Sequence, residues 1–224
     1  MNKILIYTML VASTIFAFSS DAEARKRKTM VSCSEADAEI IANGISMGKG
    51  SVLIIVPAYA EVTIEFVKTG FLRETITLFN KPNHPYAPKT YHMKMRVDDA
   101  YEASKQTDIA NVDLSLPTTK PLDDAWQVLN RVILSYMDVI ETTDKETGYI
   151  RTAWTVQNFT MATVRTRIIV KQGTLKPLAY KFKLVSEIAF GSGVSPKDDQ
   201  LFKEWDRVLR KFEPIATELP SRMK

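Results

Sequence analysis

From Tyr180 to Phe190 the chain alternates: Tyr180, Phe182, Leu184, Ser186, Ile188 and Phe190 fall on one side of an extended strand, with Lys181, Lys183, Val185 and Glu187 on the other. A period of two over this length rules out an amphipathic helix and demands a sheet with one buried face. Three shorter runs precede it. Asp138 to Thr142 reads as a strand, Ile150 to Val156 alternates across Arg151, Ala153 and Thr155, and Val164 to Lys171 is largely β-branched. Gly148 and the stretch Gly173 to Pro177 supply turns between them. Four sequential strands with short connections form an antiparallel meander. One greasy face of that meander must be covered.

Two flanking segments offer the cover. After Asp123 or Asp124, the residues Trp126, Leu129, Val132, Ile133, Tyr136 and Met137 recur at three- and four-residue spacing. Between Asp198 or Asp199 and Pro214, the residues Leu201, Phe202, Trp205, Val208, Leu209 and Phe212 do the same. The expectation is an α+β fold in which residues 118–224 form a four-strand meander clasped by two helices, a helix-grip-like arrangement. The stretch Thr118 to Pro121 marks its boundary. Residues 34–117 read as a smaller α/β region. Its parts are a helix from Ser34 to Met47, strands at Val52–Val56, Glu61–Val67 and Thr75–Phe79, and a proline-rich loop from Asn80 to Lys89. Asp98-Asp99 opens a short helix, and Val112 to Leu116 is a further strand.

The N-terminus has the order of a secretory signal. Lys3 precedes an uncharged apolar run from Ile4 to Phe18, and Ala22-Glu23-Ala24 places small residues where a signal peptidase reads them. An apolar core of about 15 residues is short for a bilayer span. Residues 1–24 are therefore expected to direct export to the periplasm or outer membrane, with an uncleaved N-terminal tether as the alternative. Cleavage removes one cation, Lys3, and two carboxylates, Asp21 and Glu23, and so moves the formal charge from +4 to +5. Residues 25–33 then read as a basic, flexible leader ending at Cys33. One cysteine makes no internal disulfide, and Met30-Val31-Ser32-Cys33 carries a weak signal for lipidation of Cys33.

The stretch Leu122-Asp123-Asp124-Ala125-Trp126-Gln127-Val128-Leu129, continuing through Val139-Ile140-Glu141-Thr142-Thr143-Asp144 to Gly148-Tyr149-Ile150, resembles the helix-grip domains of the BamC family. Those are accessory lipoproteins of the bacterial outer-membrane β-barrel assembly machine. The resemblance implies the helix-grip fold and a role in an envelope assembly. Residues 34–116 lie outside it.

Candidate chemistry is sparse. His84 and His92 lie eight residues apart without an acidic or cysteine companion, so no metal site is expected. Gly48-Lys49-Gly50-Ser51 has the wrong spacing and order for a phosphate loop. The pairs Asp98-Asp99, Asp123-Asp124 and Asp198-Asp199 each precede an expected helix, where carboxylates cap amides rather than catalyse. Asn158-Phe159-Thr160 fits a glycosylation acceptor that matters only in a eukaryotic secretory pathway. No nucleophile elbow is present, and no cofactor is expected.

One surface stands out. Arg151, Arg165, Arg167, Lys181 and Lys183 fall opposite the apolar strand residues, together with Thr155 and Thr166. Aligned strands would gather these cations on one face suited to an acidic partner, whether an envelope protein, anionic lipid or another polyanion. Nucleic acid is disfavoured, because no exposed aromatic platform accompanies the cations. The functional expectation is an exported, non-enzymatic binding or assembly module. The alternatives are a carrier of a small apolar ligand in a helix-grip cavity and an enzyme of unknown class.

Overall fold

The structure is a computed structural model and describes residues 26–224. The expected signal segment and the N-terminal tether lie outside the described residues. The described residues are mostly β, with 48% of them in strands and 15% in helices, and this overturns the α+β helix-grip expectation. It divides into two compact units: residues up to Val67 with Arg73–Met95, and Lys68–Leu72 with Arg96–Lys224.

The first unit holds β1 (Arg27–Cys33), β2 (Glu39–Ala42), β3 (Ile45–Lys49), β4 (Ser51–Val56), β5 (Glu61–Val67), β6 (Glu74–Phe79) and β7 (Thr90–Met93). They form a three-stranded sheet in the order β4-β1-β7 and a four-stranded sheet in the order β3-β2-β5-β6. Val31, Ile54 and Val56 of the first sheet and Ile40, Ile64 and Phe66 of the second are buried.

Two expectations fail in this unit. The helix over 34–47 is a hairpin, because Asn43 and Gly44 both adopt positive φ (47° and 80°) and reverse the chain. Ile40 and Ala42 then point inward at period two. The basic leader is β1, the central strand of its sheet. Its first residue, Arg27, donates from Nε to Asn80 Oδ1 at 3.2 Å and lies 4.1 Å over the Tyr86 ring. Gly50 is obligatory for the adjoining turn: at φ +66° an added Cβ would sit 2.4 Å from the Ala36 carbonyl oxygen.

The second unit contains α1 (Asp99–Glu102), β8 (Ser104–Gln106), β9 (Leu114–Pro117), α2 (Leu122–Tyr136), β10 (Ile140–Asp144), β11 (Tyr149–Thr152), β12 (Thr155–Asn158), β13 (Ala162–Leu175) and β14 (Leu178–Phe190). A single 3₁₀ turn (Asp199–Leu201) follows, then β15 (Lys203–Glu204), β16 (Arg207–Leu209) and α3 (Ile215–Arg222). The main sheet has seven strands. Its path is β10-β11-β13-β14-β15, with β12 also on β13 and β9 also on β14; β16 pairs separately with β8. The expected boundary at Thr118–Pro121 falls inside this unit, where the Thr118 amide donates to the Leu178 carbonyl at 3.1 Å.

The long β13–β14 hairpin is the spine. Val164, Ile168 and Val170 of β13 and Tyr180, Phe182 and Leu184 of β14 are buried in one core with Leu129 and Ile133 of α2 and Ile215 and Leu219 of α3. The alternation therefore reads correctly from Tyr180 to Ser186 on the core side, but Phe190, expected on that buried face, is 85% exposed, and Val185, expected on the polar side, is buried. The helix expected at 199–212 does not form. Its apolar residues Phe202, Val208, Leu209 and Phe212 are indeed buried, but the backbone is held by distant segments. Lys203 and Glu204 pair with β14, and Arg207–Leu209 pair with β8. Asn111 acts as a strand surrogate: its Nδ2 donates to the Ser186 and Trp205 carbonyls at 3.0 and 2.9 Å, and its Oδ1 accepts from the Ser186 amide at 2.9 Å. These tertiary bonds win over helical spacing. Pro214, read as a stop, instead precedes α3, where its missing N–H costs nothing.

Candidate functional site

The outer face of the seven-stranded sheet begins with a change of parity. The run Ile150 to Val156 is not one strand: Ala153 and Trp154 separate β11 from β12. After that break Thr155 pairs with Thr166, which pairs with Ser186, and this row lies on the core side. Thr166 and Ser186 are fully buried, and Thr155 Oγ1 donates to Met137 Sδ at 3.4 Å. The two threonines therefore do not belong to the cationic face. Trp154 does, contrary to its expected place in the core.

Trp154 organises that face. The guanidinium carbon of Arg165 lies 4.2 Å from the Trp154 ring centroid and 4.1 Å from that of Phe202, while Arg167 lies 4.0 Å from Trp154. The contacts run as a ladder: Phe202, Arg165, Trp154, Arg167. Arg165 and Arg167 are two residues apart on β13 and so share its outer side.

Arg165 is fully engaged. Its side chain is only 4% exposed, and its Nη2 lies 2.5 Å from Glu187 Oε2, to which Nε donates at 2.7 Å. Its Nη1 donates to Asp199 Oδ1 and to the Pro196 carbonyl, both at 2.6 Å. It fastens the 191–201 segment to the sheet and is not available to a partner. Asp199, expected as a helix cap, spends its carboxylate here.

Arg167 is different. Its Nε is buried without a hydrogen-bond partner. An unmet buried donor costs about 1–3 kcal/mol. Burial, with the charges of Arg151 and Arg165 alongside, pulls its guanidinium below the ordinary arginine value, against the opposing carboxylates Glu187 and Glu141. It nevertheless stays charged. Arg151, opposite Ile169 on the neighbouring strand, has its Nε 3.1 Å from Glu141 Oε2, an ion pair without hydrogen-bond alignment.

Toward the hairpin tip the cations are more exposed. Lys183 pairs with Asp113 at 3.3 Å. Lys181 faces Lys171 directly across the β13–β14 register, and neither has an ion-pair partner among the described residues. Of the five cations expected on this face, Arg165 is consumed, Arg151 and Lys183 are partly neutralised, and Arg167 and Lys181 carry unmet charge. Lys171, Trp154 and Phe202 were missed. The signal for the tryptophan was the parity flip, which no single-strand reading contains.

The other candidates resolve locally. Cys33 is a buried core residue of β1, its thiol directed at the Glu35 carbonyl at 3.1 Å. An acylated Cys33 at a new N-terminus would lose the rest of β1, and with it the centre of a sheet. Ser32 Oγ and His92 Nδ1 lie 3.0 Å apart on the exposed face of that sheet. Among the described residues no third group orients the imidazole, as nucleophilic catalysis would need. His84 stacks on Phe79 with centroids 4.3 Å apart, and no metal-binding group of three His, Cys, Asp or Glu occurs among the described residues. Asp98 caps α1, accepting from the Ala100 and Tyr101 amides. Burial would raise the Asp99 carboxyl, but hydrogen bonds from the Thr160 amide and hydroxyl outweigh it and hold Asp99 below the usual aspartate value.

The space between α2 and the sheet is filled by Leu129, Ile133, Met137, Tyr180 and Phe182. An apolar cleft of about 310 Å³ opens elsewhere, beside the β13–β14 tip, lined by Pro117, Thr118, Pro177, Leu178, Pro220 and Lys224.

No family model, curated protein or solved structure matches this chain. The resemblance of residues 122–150 to the BamC family gains no support from these comparisons, and the helix-grip fold it implies is not the fold found.

Proposed function

We propose that this protein is an exported, non-enzymatic binding module of the cell envelope that holds an anionic partner on the outer face of its seven-stranded sheet. The observation that carries this reading is Arg167, a guanidinium seated on Trp154 that has no hydrogen-bond acceptor or ion-pair partner among the described residues. Arg165, two residues away, is saturated by carboxylates. A fold that needed both arginines only for packing would pair both. Arg167 is instead preorganised, so an incoming carboxylate or phosphate gains a charge-assisted bond without ordering a long side chain. Export is supported by the apolar run Ile4 to Phe18 and the small residues at Ala22 and Ala24.

The test is retention on immobilised polyglutamate across a salt gradient. The wild-type chain should be retained at low ionic strength and elute as salt screens the contact. Arg167→Gln should elute at distinctly lower salt with its fold unchanged. A wild-type chain that runs through unretained, or an R167Q protein that elutes with wild type, would overturn the proposal.

A further inference from the structure

The β13–β14 hairpin ends in a tip that the core does not use. Leu175 is 68% exposed at its apex, and Lys171, Lys176 and Lys181 are exposed around it. No aspartate or glutamate occurs from Thr147 to Ser186, a stretch that carries seven cations. Lys171 and Lys181 stand directly opposite one another in the ladder, an arrangement that costs stability because like charges face each other. Nothing in the fold offsets that cost: both ammonium groups lack an ion-pair partner among the described residues. An exposed leucine near uncompensated lysines is ordinarily a liability for a water-soluble hairpin. Beside it the cleft walled by Pro117, Pro177, Leu178 and Pro220 adds apolar surface, with Lys224 at its edge.

We infer that this tip docks on an anionic lipid bilayer, an assignment that rests on the anionic-partner reading above and extends it from the Arg167 face to the hairpin tip. Leu175 enters the boundary between headgroups and acyl chains, and Lys171, Lys176 and Lys181 hold lipid phosphates around it. A bilayer fits better than an acidic peptide for a geometric reason. Lys176 adjoins Leu175 at the turn, and the Lys171–Lys181 pair stands about 10–13 Å behind it along the hairpin, with the apolar apex leading. That pattern suits a charged plane with an apolar interior. The cleft beside the tip continues its apolar character.

The experiment is co-sedimentation of the exported chain with vesicles of phosphatidylcholine alone and of phosphatidylcholine mixed with phosphatidylglycerol. Binding should occur on the mixed vesicles only and weaken with salt. Each basic residue near an anionic surface contributes about fivefold, so the triple variant Lys171→Gln, Lys176→Gln, Lys181→Gln should bind about a hundredfold more weakly. Leu175→Ser keeps every charge and should still lose about tenfold. Both variants change only exposed residues, and an unaltered thermal midpoint would show that they are folded. Equal binding to both vesicle types, or wild-type binding by either variant, overturns the bilayer assignment. If the chain is retained on polyglutamate in an Arg167-dependent way but ignores both vesicles, the bilayer assignment falls and the anionic-partner reading stands. If it binds neither, both fall.

Discussion

Arg165→Met separates a structural arginine from a binding one. The substitution leaves Glu187, whose side chain is only 19% exposed, without its hydrogen-bonded cation, whereas Asp199, 80% exposed, is simply rehydrated. Breaking a buried pair from one side costs about 3–5 kcal/mol, chiefly through the charge left behind. Glu187 keeps some contact with water, so the lower part of that range applies. Loss of the stacking on Trp154 and Phe202 adds about 0.5–2 kcal/mol, of which methionine restores part by packing against the rings. The expected loss is about 3–4 kcal/mol. Urea unfolding followed by tryptophan fluorescence measures it cleanly, because Trp126, Trp154 and Trp205 all lie in the second unit. A second substitution, Glu187→Gln on top of Arg165→Met, removes the stranded charge and should recover about 1–2 kcal/mol. A single variant within about 0.5 kcal/mol of wild type, or a double variant less stable than the single, would refute the account of Arg165 as a buried clasp.

Other outcomes follow from the same geometry. Gly50→Ala forces a Cβ against the Ala36 carbonyl at positive φ and should destabilise the first unit by about 1–3 kcal/mol; faster hydrogen exchange in β2 and β3, with unchanged tryptophan fluorescence, would report it. Asp99 is held below its unfolded value by Thr160, so its contribution to stability is present above the unfolded aspartate value near pH 4 and disappears as pH falls through the lowered folded one. Asp99→Asn should therefore be less stable than wild type at neutral pH, and the gap should close at low pH; a gap that stays constant with pH would contradict this.

Much of the second unit is legible in its sequence. The alternation at Tyr180–Phe190 and the helical spacing at Trp126–Met137 both describe real elements, because each satisfies its backbone hydrogen bonds within itself or with its neighbour along the chain. Residues 199–212 show the limit. Their spacing reports that Phe202, Val208, Leu209 and Phe212 are buried and is silent on what the backbone bonds to. Asn111 and β8, about a hundred residues earlier, supply partners that no local window contains. Residues 34–47 fail for a related reason. A short run such as Ile40-Ile41-Ala42 fits helix and strand alike, and the Asn43-Gly44 turn decides between them.

The site divides in the same way. Sequence alone determined that cations outnumber acids on the strands after residue 147 and that they alternate with core residues along each strand. Those properties depend only on residue type and a two-residue repeat. Which of the cations are free was settled by tertiary structure. The break at Ala153-Trp154 turned an indole outward between two arginines, and the return of 196–202 brought Asp199 and Phe202 onto Arg165 while leaving Arg167 without an acceptor. A charge's partner is fixed by distance in space, and here the carboxylates that decide come from 22 and 34 residues away along the chain.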